Sequence, residues 1–283
     1  MTNPSQTNRT CPALPQRVQN YLDAIANVCT RDGHGLVAIL LFGSAAKGGF
    51  ADQVSDVDLI VVLPDGVSAE DRRQVRAKVS RLEIEHGFKE VVGRRSALAA
   101  FAERAGGNDL SCFICTRSDL LSASVARVFD LKAVEALFID RIVFANVVAS
   151  AVTVWGEDLL PQVLPPAVRR LDVFKAYFAF TNQVLLSLGA YVLLPDATRY
   201  AMGALKRSLH SCYFCYHQST TALEVEAAFF ERHLGKSPAL KQLLELRGNY
   251  VGSFAFVLRC LPQLLRLHLR TALDNTFPLQ RRP

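Results

Sequence analysis

Two apolar runs divided by a polar, glycine-rich connection constrain this chain more than any other feature. Residues 36–42 and 57–63 are short and dominated by Val, Ile, Leu and Phe, the composition of strands packed in a core. Arg31-Asp32-Gly33-His34-Gly35 interrupts the helical spacing of residues 14–28 just before the first run, and Pro64-Asp65-Gly66 closes the second with a turn signal. The second run is too apolar for a solvated edge. The two carboxylates at its head, Asp56 and Asp58, therefore call for an explanation beyond solubility.

The rest of the first part alternates elements. Residues 68–85 have the pattern of a charged helix with Ser68 as N-cap, followed by a short run at 89–92, a helix at 96–104 and a strand at 110–116. From Val125 onward strand signals cease, and a long apolar helix is expected through residues 132–154. Pro161, Pro165 and Pro166 cannot continue a helix and mark a domain boundary. Five further helices are expected at 167–191, 197–217, 222–233, 238–246 and 250–271. The chain thus reads as α+β: a mixed sheet with helices over residues 1–160, followed by an all-α helical bundle over residues 161–283.

A 50% share of hydrophobic residues supplies a core for each part and excludes disorder as the main state. The polar opening has no apolar core and does not read as a secretory signal, while the greasiest stretches are broken by Asp140 and Arg141 and by Lys175, Asn182 and Gln183, which argues against membrane spans. Seven cysteines without an export signal point to reduced thiols in the cytoplasm. Residues 1–160 hold 17 Lys+Arg against 19 Asp+Glu, whereas residues 161–283 hold 15 against 7. The basic excess lies entirely in the second part, which suits either an anionic ligand held between the two or surface charge kept for solubility.

The chemistry concentrates in residues 40–63. Gly43-Ser44 follows the first strand at once; without a Cβ at residue 43 the backbone can approach a ligand, and the Ser44 hydroxyl adds a donor, the makings of a phosphate cradle. Asp56 and Asp58, two apart on a strand, project from one face while Val57 turns into the core. Carboxylates paired in this way make a hard oxygen site suited to Mg²⁺. Phosphoryl transfer needs both parts together, donors for the triphosphate and two cations about 4 Å apart on the reacting oxygens.

This segment resembles the DNA polymerase β-type nucleotidyltransferase superfamily, whose signature is a hydrophobic residue, Gly-Ser, about a dozen residues and then Asp-hydrophobic-Asp-hydrophobic. Phe42-Gly43-Ser44 and Asp56-Val57-Asp58-Leu59 match residue by residue, and Ser55 and the turn Lys47-Gly48-Gly49 agree with it. The layout resembles stand-alone prokaryotic members, among them aminoglycoside and minimal nucleotidyltransferases, in which a turn like Val154-Trp155-Gly156 closes the catalytic domain before a helical bundle. The resemblance implies a Mg²⁺-dependent, two-metal enzyme that moves a nucleoside monophosphate from a triphosphate to a hydroxyl of a small-molecule acceptor. Gly43, Ser44, Lys47 and Lys206 would serve the nucleotide, and Asp56 and Asp58 the metals. It also implies a third carboxylate, for which Asp109 is the candidate by position; a turn role after Gly106-Gly107-Asn108 is an equal reading, and Glu83, Glu85 and Asp119 stay open.

Arg199, Lys206, His210 and His217 fall on one stripe of a helix, either facing a cleft or forming a solvated edge. Cys112-x-x-Cys115 and Cys212-x-x-Cys215 read as small core residues, because three positions apart on a strand or within a regular helix is the wrong geometry for a zinc knuckle. Two rival functions follow from the same residues: transfer to a protein or RNA acceptor, nucleic acid being the less favoured partner, or a catalytically weak nucleotide-binding module. The sequence implies no membrane partner and does not set the oligomeric state.

Overall fold

A computed structural model describes residues 14–31, 33–46, 57–88, 111–131, 140–191 and 197–274. Lys47, Asp56 and Asp109, with the expected elements at 89–92 and 96–104, lie outside the described residues. The described residues divide into two compact units, one of residues 14–31, 33–46, 57–88, 111–131 and 150–165, the other of residues 140–149, 166–191 and 197–274. Among them no helix is long and apolar enough to cross a membrane.

In the first unit, helix α1 (Gln16–Arg31) buries Val18, Tyr21, Leu22, Ile25 and Cys29, the three-and-four spacing of one apolar face. Strand β1 (Ala38–Phe42) runs into the four-residue helix α2 (Gly43–Ala46), and β2 (Asp58–Leu63) pairs antiparallel with β1 from Ala38↔Val62 to Phe42↔Asp58. Helix α3 (Ala69–Glu85) starts at Ser68, whose Oγ accepts from the Asp71 amide at 3.1 Å, as the sequence led one to expect. Strand β3 (Cys112–Thr116) lies parallel to β2, and the short helices α4 (Arg117–Leu121) and α5 (Val125–Val128) follow it. Ile39, Leu41, Leu59, Val61, Cys112 and Ile114 turn to the face packed against Val18, Tyr21 and Ile25 of α1 and Val75 and Val79 of α3. On the opposite face the Phe42 and Phe113 rings stack at 6.2 Å and Phe113 meets Phe129 edge-on at 4.6 Å.

The long helix expected through residues 132–154 is corrected. Helix α6 (Arg141–Ser150) stops at Ser150, and Val152–Gly156 forms a fourth strand, β4, antiparallel to β1, giving the order β3-β2-β1-β4. The β-branched Val152-Thr153-Val154 suits a strand, and Gly156 is obligatory at its end: φ is +78° and a Cβ would collide with the Val37 carbonyl. The Val154-Trp155-Gly156 segment is therefore the end of a paired strand, held further by Glu157 N–H donating to Val37 O at 2.9 Å.

The second unit is helical: α6, α7 (Arg170–Ala190), α8 (Ala197–His217), α9 (Leu223–Leu234), α10 (Pro238–Gly248) and α11 (Phe254–Leu273). Its core joins Val173, Phe180 and Val184 of α7, Leu205 and Leu209 of α8, and Leu264 and Leu267 of α11. Within it His268 is almost fully buried; its Nδ1–H donates to Val173 O at 3.1 Å and Ser208 Oγ donates to Nε2. Burial pushes its pKa down to about 4, so the ring is neutral near pH 7. Asp140, also buried, accepts from Val143 N–H at 3.0 Å; desolvation, opposed by that bond and aided by nearby Asp172, pushes its pKa up to about 7.

Candidate active site

The end of the β1–β2 hairpin sets the candidate residues. Register places Phe42 opposite Asp58, so the next residue of β1's chain, Gly43, lies directly beside the Asp58 side chain. Gly43 has φ +74°, and a Cβ there would collide with Asp58 Oδ2 and stand 3.1 Å from its Cγ. The missing side chain of Gly43 is thus the space that the carboxylate fills, a steric dependence that links the Gly-Ser pair to the Asp-x-Asp pair. Val57 is buried among the residues that face α1 and α3, while Asp58 is only partly buried on the other face. That is the alternation expected of this strand. Ser44 lies in the backbone of α2.

The start of β3 is drawn to the same end of the sheet. Leu59 N–H donates to Ser111 O at 2.7 Å, and the Ser111 hydroxyl donates to the Glu83 carboxylate, which reaches it from α3. Glu83 is 3% exposed and sits on the helix-covered face with Tyr21 and Cys112, away from the Asp58 side. Asp119 is committed at the opposite end of β3, where it closes a capping box with Thr116 and pairs with Arg72 at 3.3 Å. Glu85 is exposed on the last turn of α3. None of these three alternatives shares the face and end of the sheet that carry Asp58. The Ser111–Glu83 bond carries no sequence signal, because a glutamate in a highly charged helix reads as solvated.

In the second unit the four-residue stripe of α8 does not act as one row. Arg199 lies over the Tyr250 ring at 4.6 Å and Lys206 is exposed, but His210 Nδ1 pairs with the fully buried Glu226 of α9 at 2.6 Å. His217 stacks on Tyr213 at 4.1 Å and meets Phe229 of α9 edge-on. The carboxyl-terminal half of the stripe is therefore occupied by helix packing. Cys112 and Cys115, Cys212 and Cys215 are all buried, and burial raises each thiol, Cys115 and Cys212 to about 12.

A family model described as the nucleotidyltransferase domain matches residues 23–102, a span that includes Gly43, Ser44, Lys47, Asp56 and Asp58. No curated protein matches the chain. Among solved structures, it is similar to the spectinomycin adenyltransferase AAD(9) of Enterococcus faecialis, crystallised with ATP and spectinomycin. The TM-score is 0.50 at 10% identity, over 92% of this chain and 99% of that one. At that identity the likeness speaks to the fold.

Proposed function

We propose, for a chain that is a nucleotidyltransferase of the DNA polymerase β type, that it transfers a nucleoside monophosphate from a nucleoside triphosphate to a hydroxyl of a small-molecule acceptor. The acceptor oxygen bonds to the α-phosphorus, the bond from that phosphorus to the bridging oxygen of the β-phosphate breaks, pyrophosphate leaves and the hydroxyl proton is released. The observation that carries the reading is the Asp58 carboxylate seated in the space left by Gly43 at the mouth of the β1–β2 hairpin. The AAD(9) likeness, with ATP and spectinomycin in that crystal, supports ATP as donor and a small acceptor.

A partly exposed carboxylate on a strand end is a hard oxygen donor, and the chemistry of that donor fits Mg²⁺. Asp58 with Asp56 and Asp109 would hold the two ions, which when bound neutralise charge on the phosphates. The chain's own contribution is placement. The β1–β2 pairing holds Asp58 beside the Gly43-Ser44 backbone, so a group that would bind phosphate and a group that would bind cation lie at one end of the paired strands. Lys47 and Lys206 would add positive charge for the triphosphate.

The test is incubation of the purified protein with Mg²⁺ and each labelled triphosphate, offering small-molecule extract, RNA and protein pools separately. Label in the small-molecule fraction with matching pyrophosphate release supports the reading. Label in RNA or protein replaces the acceptor class, and nucleotide binding without pyrophosphate release replaces the enzyme with a binding module.

A further inference from the structure

Helix α7 leaves large apolar side chains exposed on its outer side as well as burying an apolar inner face, which a helix at the surface of a bundle has no reason to do. Its inner face carries Val173, Ala176, Phe180 and Val184 into the core, yet Leu171, Phe174, Phe178 and Leu185 remain exposed, Leu171 and Phe178 at 63% each. Helix α11 repeats the pattern. Phe254, Leu258, Leu265, Leu269 and Leu273 are 44–61% exposed along one side, four to seven residues apart.

The two stripes adjoin. His268 of α11 lies against Val173, Tyr177 and Phe180 near the start of α7, and Phe254 packs edge-on against Tyr191 just past its end at 5.1 Å, so the helices run antiparallel. At about 100° per residue, Phe174 and Phe178 flank the contact made by Val173 and Tyr177, and Leu265 and Leu269 flank that of His268. The exposed stripes thus border one seam, forming a two-helix apolar face about 30 Å long.

Its area is roughly 900 Å² from the fractional exposures, well beyond what a monomer ordinarily leaves in water and close to the share of about 800 Å² that each partner gives to a stable dimer. The charges of α11 are drawn away from it. Arg259 donates to Gln242 of α10 at 3.0 Å, Arg266 donates to Leu234 O of α9, and Arg270 pairs with Asp274 at 3.6 Å. Arg170 and Lys175 of α7 stand at the edge of the stripe, while its middle, Phe178, Leu185, Leu265 and Leu269, carries no charge among the described residues, so it buries against a copy of itself without stranding an ion.

We infer that the α7–α11 face is a homodimer interface, in which the two helices of one protomer pack against the same two helices of a second. Sedimentation equilibrium of the full chain should give twice the mass of one chain at 100 µM. The melting temperature should rise with protein concentration between 1 and 100 µM, because the second copy binds only the folded state. Phe178→Glu and Leu269→Glu, each placing a charge in the buried centre, should weaken the dimer at least about 100-fold and remove the concentration dependence. A monomeric mass together with a concentration-independent melt in the unaltered protein overturns the inference, whether or not the variants fold. Dimers that survive both substitutions overturn it too, as would binding of the monomeric chain to phosphatidylcholine vesicles abolished by Leu269→Glu, which would assign the face to lipid.

Discussion

Gly43→Ala probes the dependence of Asp58 on a missing side chain, and its cost divides into two parts. The backbone at residue 43 has φ +74°, where an L-residue costs about 1–2 kcal/mol. The new Cβ would also collide with Asp58 Oδ2 and come within 3.1 Å of Cγ, so the carboxylate must swing aside at about 1–3 kcal/mol, the usual cost of overpacking. Together these give about 2–5 kcal/mol, a melting temperature lowered on the order of 5–10 °C in a chain of this size. Displacement of the carboxylate by about 1 Å should lower pyrophosphate release about 100-fold. The steric part is separable by a double-mutant cycle. In an Asp58→Ala background the obstacle is gone, and Gly43→Ala should cost only the backbone part, leaving a coupling of about 1–3 kcal/mol between the two sites in urea denaturation. Costs that add to within about 0.5 kcal/mol, or a Gly43→Ala protein with normal turnover, would refute the reasoning.

Asp58→Asn and Asp56→Asn should each cut Mg²⁺-dependent turnover by about three orders of magnitude with the far-ultraviolet spectrum unchanged; normal steady-state rates in either would remove that residue from the site. Asp109→Asn should lower turnover nearly as far as Asp58→Asn while keeping the melting temperature, and a fully active variant would reassign Asp109 to the turn after Gly106-Gly107-Asn108. Asp140, with its pKa pushed up to about 7 from an ordinary 3.8, binds its proton more tightly when folded; that stability is complete at low pH and is lost as pH rises through 7. His268 acts oppositely, destabilising the fold as pH falls through 6.5 towards about 4, so of these two groups only Asp140 loses stability as pH rises between about pH 6.5 and 8. Asp140→Asn keeps an acceptor for Val143 N–H and should flatten that decline, whereas an unchanged slope would assign it to other groups.

The hairpin of β1 and β2 was legible because a local rule settles it: apolar runs of strand length bounded by turn residues, with an acid breaking the pattern at one end. Residue alternation then placed Val57 inward and Asp58 outward, as the structure has them. The fourth strand was not legible, since Val152–Gly156 follows an apolar helix without a polar break and periodicity does not separate a buried strand from a buried helix. Pairing with β1, more than a hundred residues earlier, decides it. The stripe on α8 failed for a similar reason. His210 looks like an outward polar group until Glu226, on a different helix, is brought against it.

The cysteines give the chain a different use. Cys29, Cys112 and Cys115 lie inside the first unit and Cys212, Cys215 and Cys260 inside the second, all of them buried. Burial keeps the raised thiols among them protonated. Alkylation at any of these sulfurs must wait for the surrounding structure to open, so its rate is a clock for opening at that place. Mass spectrometry of peptides after timed exposure to iodoacetamide would time each half of the molecule separately, using only the sulfur atoms the protein already carries. A triphosphate that tightens the sheet would slow labelling at Cys112 and Cys115 and leave the clock of the helical bundle running at its own pace.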